Sequence, residues 1–232
     1  MKRLLIGCLE SIDPYTKLLL HFDGVSGATT IVDSSPEAHT ITQSGIDGNV
    51  VISTAQSKFG GSSGYWSARN ALDCGVINIG TQAFCIEMWV YCASASSYIE
   101  MLCAIGSSDS AIASGFAFSP HSSHTDMFGL WYSTFASSAL VSTNISIGVW
   151  HHIALVGNGG ASGSRTIKKY LDGVSVGGTL TVDYNYNDHI IVGANIDWGQ
   201  NHLVGYMDEF RLSVGTQRYT ADFTPPTAQF SA

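Results

Sequence analysis

The run FCIEMWVY at residues 84–91 is the segment that reveals most about the fold of this 232-residue chain. Successive side chains of a β-strand point to opposite faces, and here alternate residues form two sets that are both largely apolar. A strand of this kind belongs in the middle of a sheet whose second face is also partly covered, by long loops or at an interface. The first set is Phe84, Ile86, Met88 and Val90, and the second is Cys85, Glu87, Trp89 and Tyr91.

Short β-branched and aromatic segments, separated by Gly, Asn, Asp and Ser, continue on both sides of this run from Lys17 onward. No window sustains the 3.6-residue apolar period of a helix. Asp172-Gly173, between residues 167–171 and 174–176, predicts a tight hairpin because both turn positions need positive φ. The segment FTPP at 223–226 cannot continue a ladder and is expected to run along a sheet edge. The chain is therefore predicted to be all-β.

Composition and charge narrow the range of functions. Hydrophobic residues make up 45% of the chain, enough for a substantial core in one domain. The net charge is −8 and the ten Lys and Arg residues are scattered, so no basic stripe can neutralise nucleic-acid phosphates. No apolar run approaches the roughly 20 residues of a membrane helix. Neither a nucleic-acid partner nor membrane insertion is expected. The five cysteines lack C-x-x-C spacing, which indicates reduced thiols.

Four sequence blocks carry a resemblance to a known family. They are LLLHFDG at 18–24 with Asp33-Ser34-Ser35-Pro36, SKFGGSS at 57–63, WHHIA at 150–154 with LDG at 171–173, and GYMDEFR at 205–211 with RYTADFTPP at 218–226. The chain resembles the laminin-G-like, concanavalin-A-like domains of the lectin/glucanase superfamily, in the version common in tailed-phage structural proteins. The resemblance implies an antiparallel two-sheet jelly-roll sandwich over residues 17–232, preceded by an N-terminal arm of residues 1–16.

The same resemblance leads to two hypotheses about function. The first is a non-catalytic virion protein, a capsid decoration or tail-associated module, that contacts other virion proteins or further copies of itself in a homo-oligomer. Such a protein would be assembled in the bacterial cytoplasm and lie on the virion surface. The second is a carbohydrate- or receptor-binding lectin-like adhesion domain, extracellular or on a cell surface, whose partner is a host surface glycan.

A glycoside hydrolase is a third and more remote hypothesis, because some relatives on this fold are glucanases. Such an enzyme needs two carboxylates on one side of a cleft. The strand pattern Glu-x-Asp-x-x-Glu of those relatives is absent here. Asp208 and Glu209 are adjacent, and on a regular strand they would point to opposite faces. No catalytic residue is therefore assigned, and an enzyme is not expected.

A calcium site at the rim of the sandwich is also implied by the resemblance. Ca²⁺ requires hard oxygen ligands. Asp23, at the end of the first strand, and Asp208, on the last strand, are the matching acidic positions, since first and last strands pair or neighbour in this family. His39 stands near a position where relatives often have a Gly-Asn turn, and it is a poor calcium ligand. The alternative is that Asp23 and Asp208 accept hydrogen bonds from turn amides. No other cofactor is implied.

A sugar site needs exposed aromatic rings that stack on pyranose faces beside polar side chains. Trp198 is the best-placed residue of this kind, with Asp197 and Asn201 close by in the sequence. The alternative for every such aromatic residue is burial in the core or in an interface. The other aromatic residues near predicted loops or strand ends are Trp66, Trp131, Tyr132, Tyr184 and Tyr186.

Overall fold

The computed structural model describes residues 13–94, 100–106, 114–119, 127–132, 140–142, 145–194 and 202–232. Within these ranges the chain forms β-strands and no helix, and so no helix there is long and apolar enough to cross a membrane. The strands are β1 (Thr16–Leu20), β2 (Thr42–Gln43), β3 (Val51–Ser53), β4 (Ser63–Trp66), β5 (Leu72–Gly80), β6 (Ala83–Cys92), β7 (Glu100–Ile105), β8 (Ser114–Ser119), β9 (Met127–Tyr132), β10 (Leu140–Ser142), β11 (Trp150–Asn158), β12 (Thr166–Leu171), β13 (Val174–Thr181), β14 (Tyr186–Val192) and β15 (Gly205–Val214).

The described strands form two antiparallel sheets. Sheet I has the order β13-β12-β11-β6-β15-β4-β3, and β1 also pairs with β15. Sheet II has the order β10-β9-β8-β7-β14-β5-β2. The predicted antiparallel sandwich is confirmed, as is the pairing of the first and last strands.

The two faces of β6 are buried in different places. Ile86 and Met88 lie in the main core between the sheets, together with Leu102 and Ile190 of sheet II. Cys85 lies in a second apolar cluster on the outer face of sheet I, with Ala154, Val156 and Tyr170. The double-sided apolar pattern of residues 84–91 therefore reflects a central strand that is covered on both faces.

The hairpin between β12 and β13 has the predicted turn. Asp172 and Gly173 have φ values of 49° and 81°. The Asp172 Oδ1 atom accepts a hydrogen bond from the His152 backbone amide at 2.8 Å, which joins the turn to β11. A Cβ atom at position 173 would lie 1.9 Å from the Phe223 carbonyl oxygen, so glycine is required there for close approach as well as for φ.

The C-terminal tail, defined here as residues 216–232, packs over the outer face of sheet I. The backbone at residues 222 and 223 lies against the β12–β13 hairpin at the edge of sheet I, as predicted for residues 223–226, because the Phe223 amide donates to the Gly173 carbonyl and the Ser175 amide donates to Asp222 Oδ1, each at 2.9 Å. The side chains of this segment instead cover the outer face. Tyr219 and Phe223 stack with ring centroids 3.5 Å apart, and Phe223 packs edge-on against Tyr170 and His152. These aromatic rings bury more apolar surface on the second face of the central strands than an edge would offer.

The beginning of the described chain is attached to this tail. The Asp13 backbone amide donates to the Ala232 carbonyl at 3.1 Å, and the Asp13 side chain pairs with Arg218. Thr16 is the first residue of β1 and pairs with Ser213. Residues 1–12 of the predicted arm lie outside the described residues.

A buried ionic cluster centred on Glu87 holds the tail in place. Glu87 is fully buried, and its Oε1 accepts hydrogen bonds from the Arg211 Nε and Nη2 atoms at 3.0 and 2.7 Å. The Tyr219 hydroxyl donates to Oε2 at 2.7 Å, and His152 Nε2 lies 3.3 Å from the same oxygen. Burial works to raise the pKa of Glu87, but His152, Arg211 and Tyr219 together hold that pKa below its usual value.

Substituting Arg211→Met should lower the free energy of unfolding by about 3 kcal/mol, because it leaves the buried Glu87 carboxylate without its main counter-charge. Urea denaturation measures the change. The matched control is Arg69→Met, which breaks the exposed pair between Arg69 and Asp47 and should change stability little. Equal effects of the two substitutions would contradict a stabilising role for the Glu87 cluster.

Candidate functional site

The outer face of sheet I is organised in rows of side chains that lie in register across neighbouring strands. Three of these rows lie next to one another and are here named the covered rows. The first is Asp208, Trp89 and His152; the second is Arg211, Glu87, Ala154 and Tyr170; the third is Ser213, Cys85, Val156 and Lys168.

The covered rows lie beneath the C-terminal tail and the turn at residues 58–61. Trp89 is 5% exposed; the Phe59 ring packs edge-on against it and Lys58 Nζ lies 3.8 Å from its ring centroid. Phe223 covers His152 and Tyr170, and Lys168 Nζ donates to the tail carbonyl of residue 220 at 3.0 Å. The protein thus shields most of this face with its own chain.

A fourth row, here named the aromatic row, consists of Tyr65, Tyr206, Tyr91 and Trp150. Its members come from the adjacent strands β4, β15, β6 and β11 and are direct cross-strand partners. Successive ring centroids are 4.8, 5.7 and 5.6 Å apart. All four side chains are partly exposed. Next to the row, the loop at residues 145–149 exposes Ile147 and Val149.

The aromatic row combines apolar rings with polar groups that have no protein partner. Among the residues that the structure describes, no hydrogen bond is made by the hydroxyl groups of Tyr65, Tyr91 and Tyr206. Burial and the two neighbouring tyrosines raise the pKa of Tyr206, so its hydroxyl stays protonated at neutral pH. Rings with free hydroxyl groups can stack on a ligand and exchange hydrogen bonds with it.

The two predicted calcium ligands are brought together around the turn at residues 58–61. Asp208 is fully buried, and its Oδ2 accepts hydrogen bonds from the Lys58 and Phe59 amides at 2.7 and 3.0 Å. Asp23 is exposed and accepts from Gln229 Nε2 at 2.8 Å. Gly60 lies against it, since a Cβ atom there would be 1.9 Å from Asp23 Oδ1. Hydrogen bonding to turn amides, the alternative for these carboxylates, is thus observed at Asp208.

One oxygen of Asp208 remains without a partner. Its Oδ1 atom is buried and makes no hydrogen bond. Burial raises the pKa of Asp208 to about 7, and the nearby Glu209 and Asp23 carboxylates act in the same direction. Within the described ranges, no group of three or more His, Cys, Asp or Glu side chains is placed to hold a metal ion.

The expectation that Asp208 and Glu209 point to opposite faces is wrong. A β-bulge interrupts the pairing of β15 with β6 between Asp208 and Arg211, and Glu209 has a φ of 53°. Glu209 is buried and accepts hydrogen bonds from His21 Nδ1 at 2.8 Å and from the Phe230 amide at 2.7 Å. Its carboxylate therefore fastens the tail to β15.

Ser146, His151 and Asp172 form a chain that superficially resembles a hydrolytic triad. His151 Nδ1 lies 2.7 Å from Asp172 Oδ2, and Nε2 lies 3.3 Å from Ser146 Oγ. However, Nε2 is also 3.1 Å from the Ser146 carbonyl oxygen, to which it can only donate. Burial opposes the charge on His151, but Asp172 and that carbonyl raise its pKa overall. In the protonated form of His151 both ring nitrogens donate, and that form cannot accept a proton from the serine.

The residues predicted to bind glycan lie in several different parts of the chain. Trp198, Asp197 and Asn201 lie outside the described residues. Trp66, Tyr184 and Tyr186 are buried in the core, which is the alternative expected for such aromatic residues. Trp131 and Tyr132 lie on β9. The aromatic row was missed, because only strand register shows that Tyr65 and Tyr206 neighbour Tyr91 and Trp150. The sequence held one partial signal of the row, because Tyr91 belongs to the largely apolar second face of residues 84–91.

Comparisons with known proteins agree with the architecture. A family model described as the concanavalin A-like lectin/glucanases superfamily matches residues 60–216, well over half of the chain. No curated protein matches the chain significantly. One similar solved structure is domain 4 of AbnA, a GH43 extracellular arabinanase from Geobacillus stearothermophilus, in complex with arabinotriose. Its TM-score is 0.61 and its sequence identity is 16%, and the match covers 88% of this chain and 94% of that one.

Two further solved structures share the fold over only part of their own length. The sialidase of Trypanosoma rangeli, in complex with the inhibitor DANA, has a TM-score of 0.57 and 13% identity, over 87% of this chain and 31% of that one. The receptor binding domain of botulinum neurotoxin type G has a TM-score of 0.51 and 13% identity, over 88% of this chain and 49% of that one. At these identities the similarity shows the fold alone.

The raised pKa of Asp208 predicts a pH dependence of stability in metal-free protein. Between the unfolded value of 3.8 and the folded value of about 7, the unfolded state has lost this proton while the folded state keeps it. Stability should therefore fall as pH rises through this window, by about 4 kcal/mol in total. The substitution Asp208→Asn should flatten this part of the profile, as measured by urea denaturation from pH 4 to 8. Parallel profiles of stability against pH for the wild type and Asp208→Asn would contradict a raised pKa of Asp208.

Proposed function

The chain belongs to the concanavalin A-like lectin/glucanase superfamily, and from this and the site geometry we propose that it is a non-catalytic recognition module on the surface of a bacteriophage particle. In this proposal the module is a capsid decoration or a tail-associated protein. Its partners in assembly are other virion proteins or further copies of itself. Residues 1–12, which precede the part of the chain held to the domain through Asp13 and Thr16, are the proposed contact arm. The aromatic row is its recognition surface.

The observation that carries this proposal is the unequal covering of the outer face of sheet I. The C-terminal tail and the turn at residues 58–61 bury all the side chains of the three covered rows except the partly exposed Lys168, whereas all four side chains of the aromatic row stay partly exposed. Tyrosine and tryptophan are enriched where protein surfaces make their strongest contacts. Four such rings in line, next to the exposed Ile147 and Val149, form a patch of the kind that marks an interaction site.

The roles of the acidic residues support a non-catalytic function. The fully buried Glu87 neutralises Arg211, and Glu209 accepts hydrogen bonds from His21 and the Phe230 amide. Asp208 binds the amides of a turn. All three carboxylates are fully buried within the chain, and general acid–base chemistry requires a carboxylate that can reach substrate.

The virion setting is supported by sequence alone. The blocks LLLHFDG at 18–24 and RYTADFTPP at 218–226 resemble those of tailed-phage structural proteins. In the structure the first block lies beside β15, because β1 pairs with β15 and His21 contacts Glu209. An extracellular or cell-surface adhesion domain is the alternative setting for the same recognition surface.

Ca²⁺ binding at Asp208 and Asp23 forms part of this proposal. The buried Oδ1 atom of Asp208 lacks a partner, and the Asp23 carboxylate lies against the same turn at Gly60. A cavity of about 150 Å³ opens beside Asp23, with His21 and Ile52 in its lining, and gives room for water ligands. Because only two carboxylates are present, backbone carbonyls and water would supply the remaining ligands.

Tyr206→Ser and Tyr91→Ser in particles of the source phage test the recognition surface. We expect the chain to be incorporated at the wild-type level, as measured by mass spectrometry of purified particles, and adsorption to host cells to fall roughly tenfold, which corresponds to the contribution of one aromatic contact. The control is Tyr15→Ser, which removes an exposed tyrosine outside the row. Absence of the chain from particles would refute the virion role, and normal adsorption of the row variants would refute the role of the row.

Calcium binding is tested by thermal unfolding of the full chain after removal of divalent ions. Adding Ca²⁺ should raise the Tm of the wild type, because an ion bound only by the folded state stabilises it. Asp23→Asn and Asp208→Asn should each abolish that increase. An equal increase in the variants would place the ion elsewhere, and no increase in the wild type would refute the site.

A further inference from the structure

We infer that the loop at residues 145–149 is a pH-operated gate beside the aromatic row, closed while His151 carries two ring protons and released when one of them is lost. The inference rests on the proposed recognition role of the row and names a regulation of it. Its basis is the position of one buried imidazole, that of His151, between a carboxylate and the backbone of this loop.

The loop at residues 145–149 lies directly against the aromatic row. It leads into Trp150, and a Cβ atom at Gly148 would lie 3.9 Å from the Tyr91 hydroxyl oxygen. Ile147 is 48% exposed at the outer side of the loop. A displacement of the loop therefore changes the apolar surface that a partner of the row meets first.

Within the described residues, the loop is held at three points. Ile145 is buried in the main core, and the Gly148 amide donates to the Cys92 carbonyl at 2.9 Å. Between these two points the Ser146 carbonyl oxygen lies 3.1 Å from His151 Nε2. The course of the backbone between its two outer attachments therefore depends on a proton at Nε2.

The protonated imidazole satisfies both of its neighbours. Nδ1 of His151 donates to Asp172 Oδ2 at 2.7 Å, and Nε2 donates to the Ser146 carbonyl. A neutral imidazole has only one N–H, and the Asp172 carboxylate can only accept, so the remaining proton stays on Nδ1. The Nε2 lone pair then faces the carbonyl oxygen, and the two atoms repel each other.

The Ser146 side chain offers the neutral imidazole a different partner. Its Oγ atom lies 3.3 Å from the same His151 Nε2, and a hydroxyl group can donate to an unprotonated ring nitrogen. Loss of the proton thus replaces the carbonyl by the hydroxyl as the partner of Nε2, and the carbonyl moves away from the ring. The loop therefore has one hydrogen-bonded arrangement for each charge state of His151, as a two-state switch requires.

The direction of the pH dependence follows from the groups around this pair. Asp172 acts on His151, and both His151 and His152 act on Asp172. Burial opposes the charge on His151, but Asp172 and the Ser146 carbonyl hold its pKa above the ordinary value of 6.5. The closed arrangement is therefore fully present below pH 6.5 and is lost as the pH rises through the pKa of the folded state.

NMR of the full chain, labelled with ¹⁵N at histidine and glycine, tests the inference. Between pH 6 and 9 we expect His151 to lose its Nε2 proton. Over the same range the Gly148 amide should exchange with solvent roughly fivefold faster after correction for the intrinsic rate, the ratio that corresponds to one hydrogen bond.

The substitution Asp172→Asn should lock the loop in the closed arrangement. An asparagine amide can donate to Nδ1 of a neutral His151, so the single ring proton moves to Nε2 and still reaches the Ser146 carbonyl. Asparagine also tolerates the positive φ of this turn and keeps an oxygen for the His152 amide. We therefore expect the corrected Gly148 exchange rate to stay constant from pH 6 to 9 in this variant.

Adsorption of particles of the source phage links the gate to the row. Wild-type particles should adsorb to host cells roughly fivefold less well at pH 9 than at pH 6, in proportion to the released loop. Particles that carry Asp172→Asn should show no such decrease. The matched control is His189→Gln, which removes another histidine–carboxylate pair, with Asp73, and should leave the wild-type pH dependence in place.

The outcomes separate the gate from the proposed function. If His151 keeps both protons up to pH 9, or if Gly148 exchange rises equally in the wild type and Asp172→Asn, the inference is overturned. If the loop is released but adsorption depends on Tyr206→Ser and not on pH, control of the row is overturned and the proposed function stands. If the loop is released while neither pH nor Tyr206→Ser changes adsorption, the recognition role of the row is overturned and the pH-dependent loop stands.

Discussion

The buried carboxylate of Glu87 is the constraint on which the rest of this structure depends. It lies on the second face of the central strand β6, where a charge without partners would be strongly destabilising. Arg211 of the neighbouring strand and the hydroxyl of Tyr219 in the tail compensate it. The tail therefore lies across the sheet, and the rings of Phe223 and Phe230 pack against His152, which lies beside Glu87.

The position of the tail divides the outer face of sheet I into two parts with different roles. Beneath the tail, ionic and aromatic contacts stabilise the fold and cover the central strands. Beyond it, four aromatic side chains share one register across β4, β15, β6 and β11 and stay partly exposed. The bulge at Glu209 contributes to this division, because it brings a second carboxylate to the tail and leaves Asp208 facing the turn at residues 58–61.

Much of the fold could be predicted because its signals are local. Alternation in residues 84–91 predicted a strand covered on both faces, and Asp172-Gly173 predicted a hairpin whose φ values are indeed positive. The prediction for residues 223–226 missed that the Phe223 ring covers the outer face of sheet I, since two prolines exclude a ladder but do not indicate which surface the neighbouring rings cover. The sugar site was predicted at Trp198, outside the described residues, whereas the aromatic row depends on registers that no local pattern specifies.

By itself, the sequence determined that this protein is an all-β sandwich of the concanavalin A-like type, with β6 at its centre, because alternation and turn chemistry act between residues a few positions apart. Only the tertiary structure decided which aromatic side chains are buried and which face outward. Glu87 is separated from Arg211 by 124 positions and from Tyr219 by 132. Trp66 and Tyr65 are neighbours, yet the first lies in the core and the second in the aromatic row. Exposure is set by what packs over each face of a sheet, and that depends on contacts between distant parts of the chain.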